Sequence, residues 1–504
     1  MPKKIENKKE VKHLFGSTEK SDFILNMTTE SAQKMSGVYA IICIVLLCAM
    51  AIPYYFTQNI EYGVEESVNR TLYLNEKFIF FISTAVLLTG FVAFIIFLIS
   101  CMKKQVLIER NKALVLPVLI LAATLVSCLL SSETFVAFYG YLDRSEGMLT
   151  TIGYWGLFSV GLSVTNADRR LNVSDTFVGF GMFQSLVGVL QAIPATAKIV
   201  PNYFKEVFYS FSNDKAGLIF DDRQNLYVTR EYIPTGFVCS PHALAAVLTI
   251  TLAFAMFGVI FAEGRKRMIF CGVGAVLMSA ALIMTCTLTG IIGFGAVMLI
   301  TLVIAAIKAG KDKAKKPVAV CLAMMVISGG IFGALAGTGK FRLLDERLIY
   351  HDSFYRLSIS DVDKNEYGEW IYSYLWDNGM YVAEQKPLFG VGPDNWSEMI
   401  QNYGLDTDRS YNEYIDIFMT RGIFTLGLTV LFLIVTLIKG FRTLAAFMRG
   451  EGKYWDAAVV AALLAYIIQA FFNISSVTST PYFFLMLGLC WAPEAQGKIK
   501  EKEE

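Results

Sequence analysis

A run of polar side chains near residue 410 carries residue types suited to acid–base and anion-binding chemistry. The stretch "DTDRSYNEYIDIFMTRGIFTLG" brings together Asp406, Asp408, Arg409, Tyr411, Asn412, Glu413 and Asp416. Carboxylates can take a proton from a hydroxyl group, and the forked N–H donors of arginine bind phosphate oxygens. This stretch is therefore the first candidate site.

Three other stretches combine polar side chains with turn-forming residues. "FYGYLDRSEGMLTTIGYW" contains Arg144, which could face an anionic headgroup or serve only as a solvated anchor at the interface. "REYIPTGFVCSPHALAAVL" contains His242, and a lone histidine is more often a satisfied polar residue than a ligand. The last, "CTLTGIIGFG", is a short turn between two apolar runs.

The stretch "KPLFGVGPDNWSEMI", residues 386–400, predicts a tight turn. Glycine tolerates positive φ, and proline fixes its own φ. A nucleotide-binding Gly-x-Gly needs a surrounding βαβ unit, and the sequence has none here. We expect a rigid corner that aims the polar run near residue 410 back at the membrane surface.

The composition predicts that these residues belong to a membrane protein. The chain has 504 residues, of which 55% are apolar and 17% charged, more apolar than a soluble core of this length needs. A net charge of +1 gives no electrostatic basis for binding nucleic acid. The nine cysteines lie in or beside apolar runs, and neither their spacing nor that of the carboxylates predicts a metal site, a disulfide or a cofactor.

Apolar runs of about 20 residues, the length that crosses a bilayer, recur along the chain. We predict an all-α polytopic protein with twelve spans, at residues 36–57, 78–102, 113–131, 148–165, 175–193, 236–261, 269–286, 288–307, 317–338, 422–440, 456–474 and 478–493.

The remaining segments divide the chain into a cytoplasmic tail, two long outer loops and a second cytoplasmic tail. Residues 1–35 form the first tail and residues 494–504 the second. Spans one to nine occupy residues 36–338, with an outer loop at 194–235. A large extracytoplasmic loop covers residues 339–421, and the last three spans occupy 422–493.

The positive charges predict the orientation. With the N-terminus inside, the cytoplasmic segments hold 28 of the 44 Lys and Arg residues, as the positive-inside rule expects. Both termini then lie in the cytoplasm, and the first apolar run is an uncleaved anchor in the plasma membrane. No charged residue lies in the middle of a predicted span, which argues against an ion-coupled transporter.

These stretches, in this order, resemble the O-antigen ligase and O-antigen polymerase family of bacterial envelope glycosyltransferases. "PLFGVGPDNW" is similar to the family's Pro-Leu-Phe-Gly-x-Gly-Pro turn. "SYNEYIDIFMTRG" is similar to its His-Asn-x9-Gly stretch, with Asn412 and Gly422 at matching positions. "RSEGMLTTIGYW" and "TGFVCSPHALAAVL" resemble two further family stretches, and the likeness covers most of residues 113–493.

The chain also departs from the family pattern. The family's catalytic histidine falls on Tyr411, and the second glycine of its motif falls on Thr425. A family Ser-Arg aligns near Thr289, and a family arginine falls on Tyr372. These departures leave the fold expectation intact and weaken the expectation of a ligase-type mechanism.

The resemblance implies a polyprenyl-pyrophosphate-linked glycan donor, a glycan or lipid-linked acceptor, and the bilayer itself as partners. Arginine suits a pyrophosphate leaving group because its planar donors bind phosphate bidentately. We expect Arg144, Arg230, Arg356, Arg409 and Asn412 to bind substrate. Tyr411, Asp408 and Glu413 are the candidate catalytic residues.

Two alternatives to a glycosyltransferase stay open on the sequence. A polysaccharide transporter or flippase would need a polar path through the spans, and few polar side chains lie there. A catalytically inactive relative that scaffolds other envelope-assembly proteins would account for the missing histidine and arginine.

The orientation predicts which cysteines an impermeant thiol reagent can reach. We expect Asn213→Cys and Asp363→Cys to be labelled on intact cells, because both positions lie in predicted outer loops. Lys313→Cys is expected to be labelled only after the cells are opened, and the parent protein measures the background from native thiols. Labelling of Lys313→Cys on intact cells would reverse the orientation.

Overall fold

The computed structural model describes residues 29–49, 67–102, 111–141, 144–192, 218–220, 226–228, 234–238, 240–285, 287–312, 316–337, 372–395 and 409–493. Its α-helices are α1 (Thr29–Ala49), α2 (Ser67–Met102), α3 (Leu116–Leu129), α4 (Thr134–Tyr139), α5 (Met148–Ser163), α6 (Ala167–Ala192), α7 (Pro241–Phe261), α8 (Arg265–Met284), α9 (Leu288–Asp312), α10 (Lys316–Gly337), α11 (Tyr372–Gln385), α12 (Glu413–Met448), α13 (Tyr454–Gln469) and α14 (Thr480–Trp491). Single 3₁₀ turns cover Lys112–Val115 and Ala470–Phe472. The strands β1 (Leu218–Phe220) and β2 (Leu226–Val228) form an antiparallel hairpin with Ile219 opposite Tyr227.

A helix lies at each of the twelve predicted span positions. Among the residues described, nine helical segments are long and apolar enough to cross a bilayer. The described parts of α1 and α14 are shorter apolar helices, and α5 has 16 residues. The structure therefore confirms the helical class, and twelve crossings stay a prediction. Among the residues described, the hairpin is the one departure from the predicted all-α class, and it lies within the predicted outer loop at 194–235.

Helix α7 forms the centre of the bundle. Its residues from Ala243 to Ile260 are all buried, and α6, α8, α9 and α13 pack around it. Pro241 occupies the first turn, where its missing N–H costs nothing, and Ser240 caps the helix by accepting the N–H of His242 at 3.2 Å. The cap therefore fixes the position of His242 in the first turn of the helix.

Arg170 joins four helix ends at one end of the bundle. Its Nε donates to the carbonyl of Val164, after α5, at 2.8 Å, and Nη1 donates to Asp456 at the start of α13, at 2.8 Å. Its Nη2 donates to the carbonyls of Ala492 and Pro493, after α14, at 2.9 and 2.8 Å. These carbonyls have no partner within their own helices, so Arg170 satisfies acceptors that helix geometry leaves open.

Helix α12 is interrupted at Gly422, whose φ of 76° and ψ of 175° are not helical. A Cβ at this position would lie 2.2 Å from the Leu388 carbonyl oxygen, so the close approach and the positive φ both require glycine. Immediately after the break, the Ile423 N–H donates to the carbonyl of Pro387 at 2.8 Å. The turn predicted over 386–400 therefore packs directly into the helix break.

The same turn completes the hydrogen bonds that the break leaves open. Val391 donates its N–H to the Met419 carbonyl at 3.0 Å, and Gly392 donates to the Thr420 carbonyl at 2.8 Å. These two carbonyls end the first section of α12, where the break takes away their usual helical partners. The turn must be rigid because its N–H groups have to reach the two carbonyl oxygens, which the helix holds in place.

Helix α3 holds the turn and the break from the other side. Ser127 donates to the Thr420 carbonyl at 3.0 Å, and Ser131 donates to the Val391 carbonyl at 2.8 Å. These bonds link residues 293 and 260 positions apart. One rigid unit thus contains part of α3, the turn and the start of α12.

The predicted loop at 339–421 includes helical structure. Helix α11 lies inside it, and its Val382 and Ala383 pack against Val391 of the turn and Met419 of α12. The first section of α12, Glu413 to Arg421, also precedes the predicted start of the tenth span. Both segments are short and polar, so hydropathy alone gave no helix signal for them.

Replacing Gly422 tests the docked break. We expect Gly422→Ala to destabilise the protein by at least ~1–2 kcal/mol, the cost of a left-handed residue with a Cβ, and by more because of the clash with Leu388. Gly427→Ala, in the same helix, is the matched control: its added Cβ would meet no described atom within 4 Å. Thermal unfolding of the detergent-solubilised proteins measures both. Equal melting temperatures for the two variants would show that the break does not constrain the fold.

Candidate active site

Polar side chains gather at the end of the bundle where α5, α7, α9 and α12 begin and α13 ends, which we call the polar end. Asp394, in the docked turn, is their anchor. Its Oδ2 accepts the N–H groups of Tyr141 at 2.8 Å and Glu146 at 3.2 Å. Its other carboxylate oxygen forms an ion pair with Arg144, whose Nη2 also donates to the Asp394 carbonyl at 2.9 Å. The turn therefore fixes the loop between α4 and α5.

The Arg144–Asp394 pair is removed from water. The side chains are 3% and 2% exposed, respectively. Burial raises the pKa of the Asp394 carboxyl above its ordinary value, and the Arg144 guanidinium opposes that rise. Each charge thus depends on the other, since an uncompensated buried charge is strongly unfavourable.

Glu146 extends this cluster to the segment between α13 and α14 and to Arg409. Its Oε2 accepts the Ser475 hydroxyl at 2.8 Å, and its Oε1 accepts the Tyr154 hydroxyl at 3.2 Å. Arg409 lies at the edge, with Nη1 3.9 Å from Glu146 Oε2 and hydrogen-bonded to the Ser475 carbonyl. The Arg409 side chain is 14% exposed, so it lies at the edge of the cluster and is partly accessible from outside it.

Local bonds set the conformation of the segment after Arg409. Ser410 donates its hydroxyl to Asp416 Oδ1 at 2.6 Å and its N–H to the same oxygen at 3.2 Å. Asn412 is the N-cap of α12: its Oδ1 accepts the N–H groups of Tyr414 and Ile415 at 3.0 and 3.2 Å. A role for Asn412 in binding substrate stays a prediction beside this structural one.

Glu413 connects α12 to α13 and to the segment that follows it. Its Oε1 accepts the Asn473 amide at 2.8 Å and the Tyr466 hydroxyl at 3.0 Å. The carboxylate is thus held by two donors, and its proposed catalytic role stays a prediction.

Tyr411 lies in a second group of side chains, mostly aromatic, beside the charged cluster. Its φ of 56° turns it away from the helical path. Its ring centre is 5.1 Å from that of His242 and 5.3 Å from that of Tyr372. His242 Nδ1 is 3.0 Å from the hydroxyl of Thr289, which donates to the Phe472 carbonyl at 2.5 Å. Tyr411 and Thr289, two of the positions at which the sequence departs from the expected family pattern, thus contact His242, and Tyr372, a third, contacts Tyr411.

The structure brings five of the predicted site residues to the polar end: Arg144, Arg409, Tyr411, Asn412 and Glu413. Asp408, Arg230 and Arg356 lie outside the described residues, and their roles stay predictions. In the parts of the chain that are described, no three His, Cys, Asp or Glu side chains lie together as a metal site requires.

Sequence reasoning missed four residues that the structure adds to this end. Glu146 and Asp394 lie in stretches that were singled out, but their partners are distant in sequence. Arg421 donates from Nη2 to Thr151 at 3.3 Å, and it stands directly before the glycine at the helix break. His242 was set aside as a lone histidine, because only the folded chain shows Tyr411 and Thr289 next to it.

A family model described as O-antigen ligase matches residues 273–432. This segment is similar to the O-antigen ligase family. It contains the docked turn, the helix break and the Arg409–Glu413 segment, and its match confirms the resemblance in those motifs. No curated protein matches the chain. The match to the O-antigen ligase family and the apolar helices together indicate a multi-pass membrane protein with a glycosyltransferase-like role.

Neutralising Asp394 tests the anchor of the polar end. Asn tolerates the left-handed φ of 59° at this position, so Asp394→Asn chiefly removes the charge. We expect a loss of about 3–5 kcal/mol in the free energy of unfolding, because Arg144 is left buried without its counter-charge. Asp377→Asn, at an exposed position on α11, is the control.

A double-mutant cycle separates the pair from general damage. Arg144→Met with Asp394→Asn is expected to be less destabilised than the sum of the single variants, because neither then leaves a charge behind. Chemical unfolding in detergent measures the four proteins. Strict additivity would mean that the two side chains do not stabilise each other.

Proposed function

We propose that this protein is a membrane glycosyltransferase that transfers or polymerises polyprenyl-pyrophosphate-linked oligosaccharide at the outer face of the plasma membrane. The observation that supports this proposal is the group of arginines and carboxylates at the polar end, built on the O-antigen ligase segment. The bundle beneath is apolar, so a lipid-linked substrate can keep its chain in the bilayer while its pyrophosphate meets the charged cluster.

In this proposal Arg409 binds the leaving group. Breaking the bond between the sugar and the pyrophosphate leaves negative charge on phosphate oxygens. Donors fixed in advance near that charge can stabilise the transition state by several kcal/mol. Arg409 is partly exposed and held through the Ser475 carbonyl. Arg144, by contrast, is committed to Asp394, and we assign it to positioning the loop that carries Glu146.

The distribution of basic residues supports an outer location for the polar end. Lys308, Lys439 and Arg170 all bond to carbonyls at the opposite end of the bundle. Basic residues concentrate on the cytoplasmic side of membrane proteins, which makes that opposite end the inner one. The polar end then faces outward, where lipid-linked envelope glycans are assembled.

Deleting the gene tests the proposed function. Cells without the protein are expected to lose a surface polysaccharide or its long chains, and to recover it when the wild-type gene is returned. The measurement is the size distribution of envelope polysaccharide on a gel, together with incorporation of radiolabelled glucose. An unchanged set of envelope polysaccharides in the deletion strain would reject the proposal.

Arg409 variants test its assigned role. Arg409→Lys keeps the positive charge but loses the planar fork that binds phosphate bidentately. We expect a large drop in polymer for both Arg409→Lys and Arg409→Ala, with normal amounts of protein in the membrane. Arg449→Ala is the control: Arg449 forms an exposed pair with Glu451 at the inner end, with side chains 56% and 64% exposed. Full activity of Arg409→Ala would remove this residue from the site.

A further inference from the structure

His242 is held in an orientation that determines which of its ring nitrogens carries the proton. The carbonyl of Phe472 can only accept a hydrogen bond, and it lies 2.5 Å from the Thr289 hydroxyl. The single hydrogen of that hydroxyl must therefore point to Phe472. Thr289 Oγ1 can then only accept from His242 Nδ1, 3.0 Å away. Nδ1 carries the hydrogen, and Nε2 of the neutral ring has the lone pair.

A histidine held through Nδ1–H has the arrangement of a general base. The nitrogen with the lone pair accepts the proton, while the group bonded to the other nitrogen fixes the ring and its tautomer. Here the sequence Phe472 carbonyl, Thr289 hydroxyl, His242 ring performs that orienting role. The ring is partly buried and stands edge-on to Tyr411, with an angle of 62° between the ring planes.

One short segment links His242 to the arginine assigned to the leaving group. Phe472 receives the bond from Thr289, and Ser475, three residues later, receives the bond from Arg409. Three peptide steps span at most about 11 Å between Cα atoms. Between them, Asn473 bonds to Glu413. The hydrogen bonds that orient His242 and hold Arg409 therefore end on carbonyls three residues apart in one segment.

We infer that His242 is a catalytic residue of the proposed glycosyl transfer, with Nε2 as the proton acceptor. This inference rests on the proposed function. The acceptor hydroxyl gives its proton to Nε2 while its oxygen bonds to the anomeric carbon of the donor sugar. The bond from that carbon to the pyrophosphate oxygen breaks, and the pyrophosphate leaves with the electron pair. His242 then returns the proton to water.

The inference changes the role expected of Tyr411. A tyrosine, whose ordinary pKa is near ~10, is a weak base at neutral pH. Packed against the histidine ring, Tyr411 instead shapes the place where the acceptor hydroxyl meets Nε2. Tyr411→Phe is expected to cost about one hydrogen bond, roughly 2- to 13-fold in rate.

Paired substitutions at His242 separate proton transfer from support of the fold. In His242→Asn the amide can still donate to Thr289, but it cannot take up a proton. We expect polymer synthesis to fall ~10²–10⁴-fold, the usual effect of losing a general base. Ser240→Ala is the comparison variant: it weakens the cap that positions His242 but keeps the imidazole, so it measures the cost of disturbing the helix start without removing the base. The assay is a pulse of radiolabelled glucose into surface polymer in the deletion strain, normalised to the protein in the membrane.

The outcomes distinguish this inference from the proposed function. If wild type restores polymer and His242→Asn is within a few-fold of it, His242 is not the base and the transferase proposal still stands. Loss of polymer in Tyr411→Phe equal to that in a deletion would instead assign the chemistry to the tyrosine. If deletion of the gene changes no polysaccharide, both proposals fail together.

Thr289 provides a test that does not depend on His242→Asn reaching the membrane. Thr289→Val removes the acceptor that orients Nδ1, and about a tenfold loss of polymer is expected, equivalent to ~1.4 kcal/mol. Thr289→Ser keeps the hydroxyl and should restore most of the activity. Normal synthesis in Thr289→Val would overturn the inference, because the proposed orientation of the ring would then have no consequence.

Discussion

The docking of the 386–395 turn into the break in α12 is the constraint on which the polar end depends. A helix broken at depth leaves carbonyl and N–H groups without partners, and burying them unpaired is costly. The turn supplies those partners through Val391, Gly392 and Pro387. Once it is in place, Asp394 has a single position, and the backbone of the α4–α5 loop must bond to it. Glu146, Ser475 and Arg409 then follow through successive contacts.

The polar end largely neutralises its own charges. Arg144 is paired with Asp394, and Glu146 approaches Arg409 while holding Ser475 and Tyr154. Such pairing limits the cost of removing charges from water, but it also occupies the donors that a substrate would need. An anion that binds Arg409 must compete with Glu146 at 3.9 Å, a weak contact beside the buried Arg144 pair. If the site binds an anion as proposed, we expect the affinity to be greatest at Arg409, where the existing ion pair is the weaker of the two.

Local patterns in the sequence predicted a helix at each of the twelve span positions and the turn at 386–400, because hydropathy and glycine–proline spacing act over a few residues. The docking of that turn could not be predicted, since its partners Ser127 and Ser131 lie far away in the chain. The N-cap role of Asn412 has a local signal, an asparagine just before an acidic helical turn, but substrate binding was the role inferred for it. His242 gained its significance only from contacts with α9 and with residues beyond α11, which no single stretch contains.

The long separation of these partners also affects how the protein is made. Arg144, Ser127 and Ser131 are synthesised roughly 250 or more residues before their partners Asp394, Thr420 and Val391. Until the chain has grown past Thr420, the acceptors that Arg144 and Ser127 contact in the folded protein have not all been made. Contacts between such distant residues close slowly, because much chain entropy must be lost first. The polar end is therefore among the last parts to form during biogenesis, and a chain that stops before the docked turn inserts helices without ever assembling it.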